Sequence, residues 1–544
     1  MLLLLACSTP PQPDASGLAE LDERYLELAA DLGVADRDTT RNATNKEARS
    51  RKIAAEQARV AFFQDPEVMS AIEGARSDAD PMVATTAEAY WREALFYRSW
   101  TEPEKQREQE LLASVEEARR QPWVWISEDG EIEVDLGGRW DRVSDSIDEL
   151  SPEQRQDIAL QWAEGQTAWM GEELTQLAEL RNEVARREGF ASYWELSLAH
   201  SGLQLDEAEA LFEDIEALVT PINAAAQARA SAHAEEVGLP HDFANDPLIR
   251  RQAGLRLDSA DVESWFDGDL AEERLSSSFA EMGLSIDGLQ IYAGPSRYTR
   301  SGAFSFPIRP PERAAVVYSV DSRWGPWPYQ ALAHEAGLAT WWRSLPSEAV
   351  GSPVAWNPPP AWFEGYGDLF VRMLYEPAWL EKYVPEMPSE AREGLVNNRR
   401  RAAVHTLTWY LGCARMERTL YETPGQLASV AEKGAALEKQ LRGWSFEIPR
   451  SDAGVPATSF LQSGLMWHYP GYVQNFLSAA VAEAVIWQAL NDAVGHPVGN
   501  PQVGPWLQEN LIHPVARGQP FPERLDELSG GKPRTDPLKM WLTP

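Results

Sequence analysis

The sequence predicts a mainly α fold: one large, two-lobed helical body carrying a small β-sheet. Three observations predict it. Apolar residues recur at three- and four-residue spacings over most of the chain, beginning with 18–32, 45–63, 85–100 and 104–120, the period of an amphipathic helix. Only two short regions, 123–136 and 285–321, change to β-branched and aromatic alternation. The 544 residues contain no Ser/Gly-rich or Pro-rich linker, so one body with a large core is preferred to several small domains. On this reading 1–19 are a truncated signal and tether, and 20–543 are a single domain. Its parts are a helical lobe over about 20–285, a sheet-containing region over about 285–375 and a helical remainder over about 376–543.

The chain opens Met1-Leu2-Leu3-Leu4-Leu5-Ala6-Cys7-Ser8-Thr9-Pro10-Pro11. An apolar run ending in Leu-Leu-Ala-Cys resembles the bacterial lipoprotein cleavage box. The run is too short to span a bilayer and lacks a positive n-region, which suits a start truncated upstream. The resemblance implies a lipid anchor on Cys7, attachment to a membrane, and a place in the bacterial cell envelope facing the periplasm or the exterior. The remaining cysteine, Cys413, lies in the apolar segment 407–420. With Cys7 acylated no intramolecular disulfide is possible, and Cys413 reads as a small buried hydrophobe.

The elements follow in order. Trp125-Ile126 and Glu133-Val134 flank Asp129-Gly130, the signature of a hairpin. A long helical stretch over 152–187 runs to Gly189, a C-terminal stop; a helix then starts near Ser192 and another covers 206–237. Segments 289–292 and 314–320 read as strands, joined by a Ser-, Pro- and Gly-rich connector over 297–311. Pro326-Trp327-Pro328 then opens a helix over 329–343.

Charge narrows the partners. The net charge is −35, from 49 basic and 84 acidic side chains spread through the helices. Nucleic acid is excluded as a partner, because its binding needs Lys and Arg to neutralise phosphates. The 22 Trp, 15 Tyr and 16 Phe are mostly accounted for by helix packing.

One motif carries chemistry. In an HExxH helix two histidines one turn apart bind zinc, and the glutamate beside the first activates the metal-bound water. Here the pattern is His334-Glu335-Ala336-Gly337-Leu338, with leucine in the place of the second histidine. Glu364 offers an acidic third ligand, and Asp368, one turn further, is placed to brace a ligating histidine. A catalytic zinc needs three protein donors and an open position. His334 and Glu364 supply two, and Leu338 has no lone pair. Among the eight histidines, distant His405 or His468 remain candidates to complete the set.

The segment Leu180–Trp194, the His334-Glu335-Ala336-Gly337 block, Glu364-x-x-Gly367-Asp368 and the stretch Trp467-His468-Tyr469-Pro470-Gly471-Tyr472-Val473-Gln474-Asn475-Phe476 together resemble the angiotensin-converting-enzyme family of gluzincin metallopeptidases. The likeness covers roughly 20–543. It implies an angiotensin-converting-enzyme/neurolysin-like fold with a deep central cleft, a small sheet beside the zinc-motif helix, zinc as cofactor and short peptides as partners in the cleft. It also implies Glu335 as general base and Tyr472 or His468 as donor to the oxyanion. The chain departs from the family at Leu338, at Val473 and Asn475, and in a longer gap before Glu364 that holds Asn357-Pro358-Pro359-Pro360. Three readings stand: a peptidase scaffold with zinc binding and catalysis lost or impaired that retains peptide binding, an active zinc peptidase with a substitute ligand, and a helical lipoprotein with a structural or interaction role.

Overall fold

The structure is a computed structural model that describes residues 15–543, apart from 43, 120–123, 128–129, 131, 136–149, 156, 159–160, 162–170, 240–246, 254, 256–263, 295–301, 311–312, 320–325, 351–352, 444–447, 449, 451–453, 457, 459, 461–465, 467–468 and 533. The lipoprotein-like box with Cys7, and His468, lie outside the described residues.

Four helices open the chain: α1 Ala15–Arg41, α2 Lys46–Gln64, α3 Pro66–Ala75 and α4 Pro81–Ala94. Side-chain caps set the starts of α2, α3 and α4. Asn45 accepts from the N–H groups of Glu47 and Ala48, Asp65 from Glu67 and Asp80 from Met82, and proline follows both aspartates at the first helical position. The last cap moves the start of α4 to Pro81, ahead of the expected 85. These helices enclose a core of their own around Tyr25, Phe62, Phe63 and Tyr90, in which Tyr25 meets Tyr90 edge-on at 5.2 Å.

After α5 Glu102–Arg119, strands β1 Val124–Ile126 and β2 Glu133–Asp135 pair antiparallel, as the hairpin reading expected. Helices α6 Glu172–Arg187, α7 Tyr193–His200, α8 Leu205–Glu236, α9 Pro247–Gln252 and α10 Ala271–Glu281 follow. Gly189 takes a positive φ of 88° just past α6, the left-handed conformation a helix stop demands.

The three-stranded sheet departs from expectation. It has the order β3–β5–β4, with β3 Gln290–Gly294 parallel to β5 Arg313–Ser319 and β4 Ala303–Arg309 antiparallel to β5. The sequence reading made 297–311 a connector, whereas Ala303–Arg309 is a strand. Phe304, Phe306 and Ile308 do alternate, but Pro307 masks the signal. Proline is tolerated there because β4 lies at the sheet edge, and the register shifts between Pro307 and Arg309.

Next come α11 Trp327–Arg343, α12 Pro353–Trp356, α13 Pro360–Met373, α14 Pro377–Tyr383, α15 Ser389–Glu422, α16 Leu427–Arg442 and α17 Val473–Val494. Strands β4 and β5 pack on α11, and α13 lies between α11 and α17. The main core runs from Leu95 to Leu542 and includes the fully buried Trp194, Trp341, Trp362 and Trp379. Cys413 is buried with a free thiol, as a small core residue. The mainly helical fold with a small sheet against the motif helix is therefore as the sequence predicted.

Glycines set how closely the site helices approach. A Cβ at Gly337 of α11 would stand 2.4 Å from the Phe370 ring of α13, and one at Gly365 of α13 would stand 2.8 Å from the Ala479 carbonyl oxygen of α17. Gly365→Ala is expected to force α13 and α17 apart and cost about 1–3 kcal/mol, the range for overpacking a core. Chemical denaturation of the variant checks this.

Candidate functional site

His334, Glu335 and Leu338 lie on α11, and Glu364 and Asp368 on α13. The structure brings the two helices together so that His334 stands between both carboxylates. Its Nδ1 is 3.1 Å from Asp368 Oδ1 and its Nε2 is 3.2 Å from Glu364 Oε2. Gly367 makes this possible. A Cβ there would lie 2.7 Å from His334 Cε1, so the imidazole rests directly on the α13 backbone. A buried clasp holds the helices at this spacing: the Thr340 and Tyr366 hydroxyls are 2.8 Å apart, and Thr340 Oγ1 also donates to the Gly337 carbonyl at 2.7 Å.

Tyr472 enters from the start of α17 and donates its hydroxyl to Glu364 Oε1 at 2.6 Å. Glu335 is 8% exposed and accepts hydrogen bonds from the side chain and the backbone N–H of Ser305 on β4. Ser305 was missed by sequence reasoning because its strand was read as connector. The alternation of Phe304, Phe306 and Ile308 was the signal that could have found it.

The electrostatics follow from burial and crowding. Burial pulls the His334 pKa down, but hydrogen bonds to Asp368 and Glu364, with the charges of Asp368 and Glu335, more than offset this and hold it well above the ordinary value. Burial raises Glu335 to about 7; Glu364 pushes the same way, while His334 and Ser305 oppose it. Burial, then the Glu364 carboxylate, keeps the Tyr472 hydroxyl protonated far above its usual range.

Among the described residues the donor set falls short of what a catalytic zinc requires. Two atoms bound to one tetrahedral zinc at about 2.0–2.1 Å sit about 3.3 Å apart, so the His334–Glu364 separation would suit a shared ion. The next position on the same helix face is Leu338, buried at 4% exposure, with no donor atom. Among the described residues no group of three or more His, Cys, Asp or Glu side chains is arranged to hold a metal ion. His405, one of the distant candidates, is exposed on α15 beside Arg442.

No protein-family model matches this chain, and no curated protein matches its sequence. Solved structures do resemble it. The M32 carboxypeptidase of Deinococcus radiodurans R1 matches with a TM-score of 0.65 at 13% identity, over 97% of this chain and 98% of that one. A putative oligoendopeptidase F matches with 0.68 at 13%, over 98% and 92%. The Apo-Mg form of Pyrococcus furiosus carboxypeptidase matches with 0.65 at 12%, over 98% and 99%. At these identities the likeness is one of fold, and it extends over nearly the whole chain.

A ring titration by nuclear magnetic resonance is expected to find His334 protonated through neutral pH, with a lower pKa in Asp368→Asn and in Gly367→Ala, where the new methyl displaces the imidazole. Because the folded pKa is raised, the stabilisation from this pair is complete below the unfolded value near 6.5 and is lost as pH rises through the folded one. The stability gap between wild type and Asp368→Asn should accordingly close at alkaline pH.

Proposed function

We propose that this chain is a metallopeptidase-fold protein that holds short peptides beside α11 without hydrolysing them. The observation that carries the reading is the buried Leu338 one turn from His334, with both His334 ring nitrogens already engaged by Glu364 and Asp368. With two donors among the described residues where three are required, zinc is held weakly and the water it would activate is not generated. The angiotensin-converting-enzyme-like motifs, and the carboxypeptidase and oligoendopeptidase structures that share the fold, support descent from peptidases.

Peptide binding is supported by the sheet. Strand β4 ends the order β3–β5–β4 and packs against both α11 and α1, with Gly33 of α1 standing over the Pro307 carbonyl, and residues 302–306 are half-buried. An edge strand offers backbone donors and acceptors to an extended chain largely irrespective of its sequence. Glu335, hydrogen-bonded to Ser305 in the middle of β4, ties that edge to the motif helix.

Metal content and peptide assays on the wild type and Leu338→His test the reading. The wild type is expected to hold substoichiometric zinc, bind short peptides by calorimetry and leave them intact. The variant is expected to gain at least about a tenfold increase in zinc affinity, on the scale of changes around a ligand, together with new cleavage. Stoichiometric zinc with turnover in the wild type would sink the proposal.

A further inference from the structure

Tyr472 owes its position to a tight turn. Tyr472 N–H donates to the Tyr469 carbonyl at 3.0 Å, with Pro470 and Gly471 between them and Gly471 at φ 74°. Proline followed by a glycine of positive φ is the signature of a type II turn. The turn is gripped from beneath: a Cβ at Gly471 would lie 2.1 Å from Ser197 Cβ of α7 and 3.2 Å from Gln474 Nε2. From α15, the fully buried Glu417 accepts the Gly471 N–H on Oε1 at 2.6 Å.

The polar groups around this grip are incompletely paired. Among the described residues, Glu417 Oε2, both Gln474 amide atoms and Asn475 Oδ1 have no hydrogen-bond partner, although all three side chains are 0% exposed. Asn475 is anchored by donating Nδ2 to Ser201 Oγ at 3.1 Å. Buried polar atoms are almost always satisfied, and clusters of them in native proteins are commonly bridged by ordered water. An ion is the poorer match, because the unpaired atoms include an amide donor as well as oxygens. Burial pushes the Glu417 carboxyl up to about 8, against the Gly471 N–H and the Arg181 charge, so near neutrality it carries a proton and acts as donor too.

We propose that Glu417 is a positioning residue for Tyr472: it clamps the 469–472 turn through Gly471, and ordered water shared by Glu417, Gln474 and Asn475 completes the clamp. This deepens the peptide-binding reading, since Tyr472 faces that site. The readout below is Tyr472 itself, so a failure of peptide binding leaves the two distinguishable.

The test places 3-fluorotyrosine at position 472 in the full chain and follows its fluorine resonance, alongside a high-resolution crystal structure. Glu417→Gln keeps an acceptor for Gly471 and a donor for the water, and is expected to retain the wild-type resonance. Glu417→Ala is expected to lose it from that position while circular dichroism shows the helices intact. Should Glu417→Ala fail to fold, Gln474→Leu, which removes two of the water's partners, is expected to move the signal in its place. Density for water bridging Glu417 Oε2 to Gln474 or Asn475 supports the clamp. An unmoved resonance in a folded Glu417→Ala or Gln474→Leu, a shifted one in Glu417→Gln, or the absence of density for such water overturns it.

Discussion

The contact of one imidazole with the bare backbone of a neighbouring helix governs this site. His334 lies on Gly367 so closely that a single methyl would collide with it, and only at that spacing do Glu364 and Asp368 reach its two nitrogens. The same constraint fixes α13 against α11, with Phe370 filling the space left by Gly337 and the Thr340–Tyr366 pair closing the gap. On its far side α13 is fixed to α17 by Gly365 and by the buried Arg372–Glu483 pair at 3.1 Å. Tyr472 meets Glu364 because both of these interfaces are tight.

Charge sets the second constraint. Glu335, Glu364 and Asp368 converge on one histidine, and carboxylates crowded in a poorly solvated place require a positive partner or a proton. His334 meets part of the requirement by staying protonated, and Glu335 meets part by its raised pKa. Tyr472 and Ser305 supply hydrogen bonds to Glu364 and Glu335. The arrangement is therefore electrostatically self-consistent from the chain's own groups, with Leu338 filling the face where a further donor would stand.

Much of this was legible in the sequence. Helical periodicity and the paired strands either side of Gly130 reflect local preferences that act over a few residues. The spacing of His334, Glu335 and Leu338 is likewise local, since one helical turn decides which side chains share a face. Strand β4 was not legible, because Pro307 and the flanking glycine and prolines argue for a loop in isolation. Its pairing with β5 and its packing on α11 and α1 override that local preference.

The sequence by itself determined the helical class, the motif helix and the identity of the residues able to meet there, because periodicity and side-chain chemistry are properties of short segments. Tertiary structure alone decided that Asp368 and Glu364 take opposite nitrogens of His334, that Ser305 holds Glu335, and that Glu417 holds the turn before Tyr472. Each of these joins positions far apart in the chain, so each depends on how closely two helices, or a helix and a strand, can approach. That approach is set by glycines and packed rings, which no local pattern reveals.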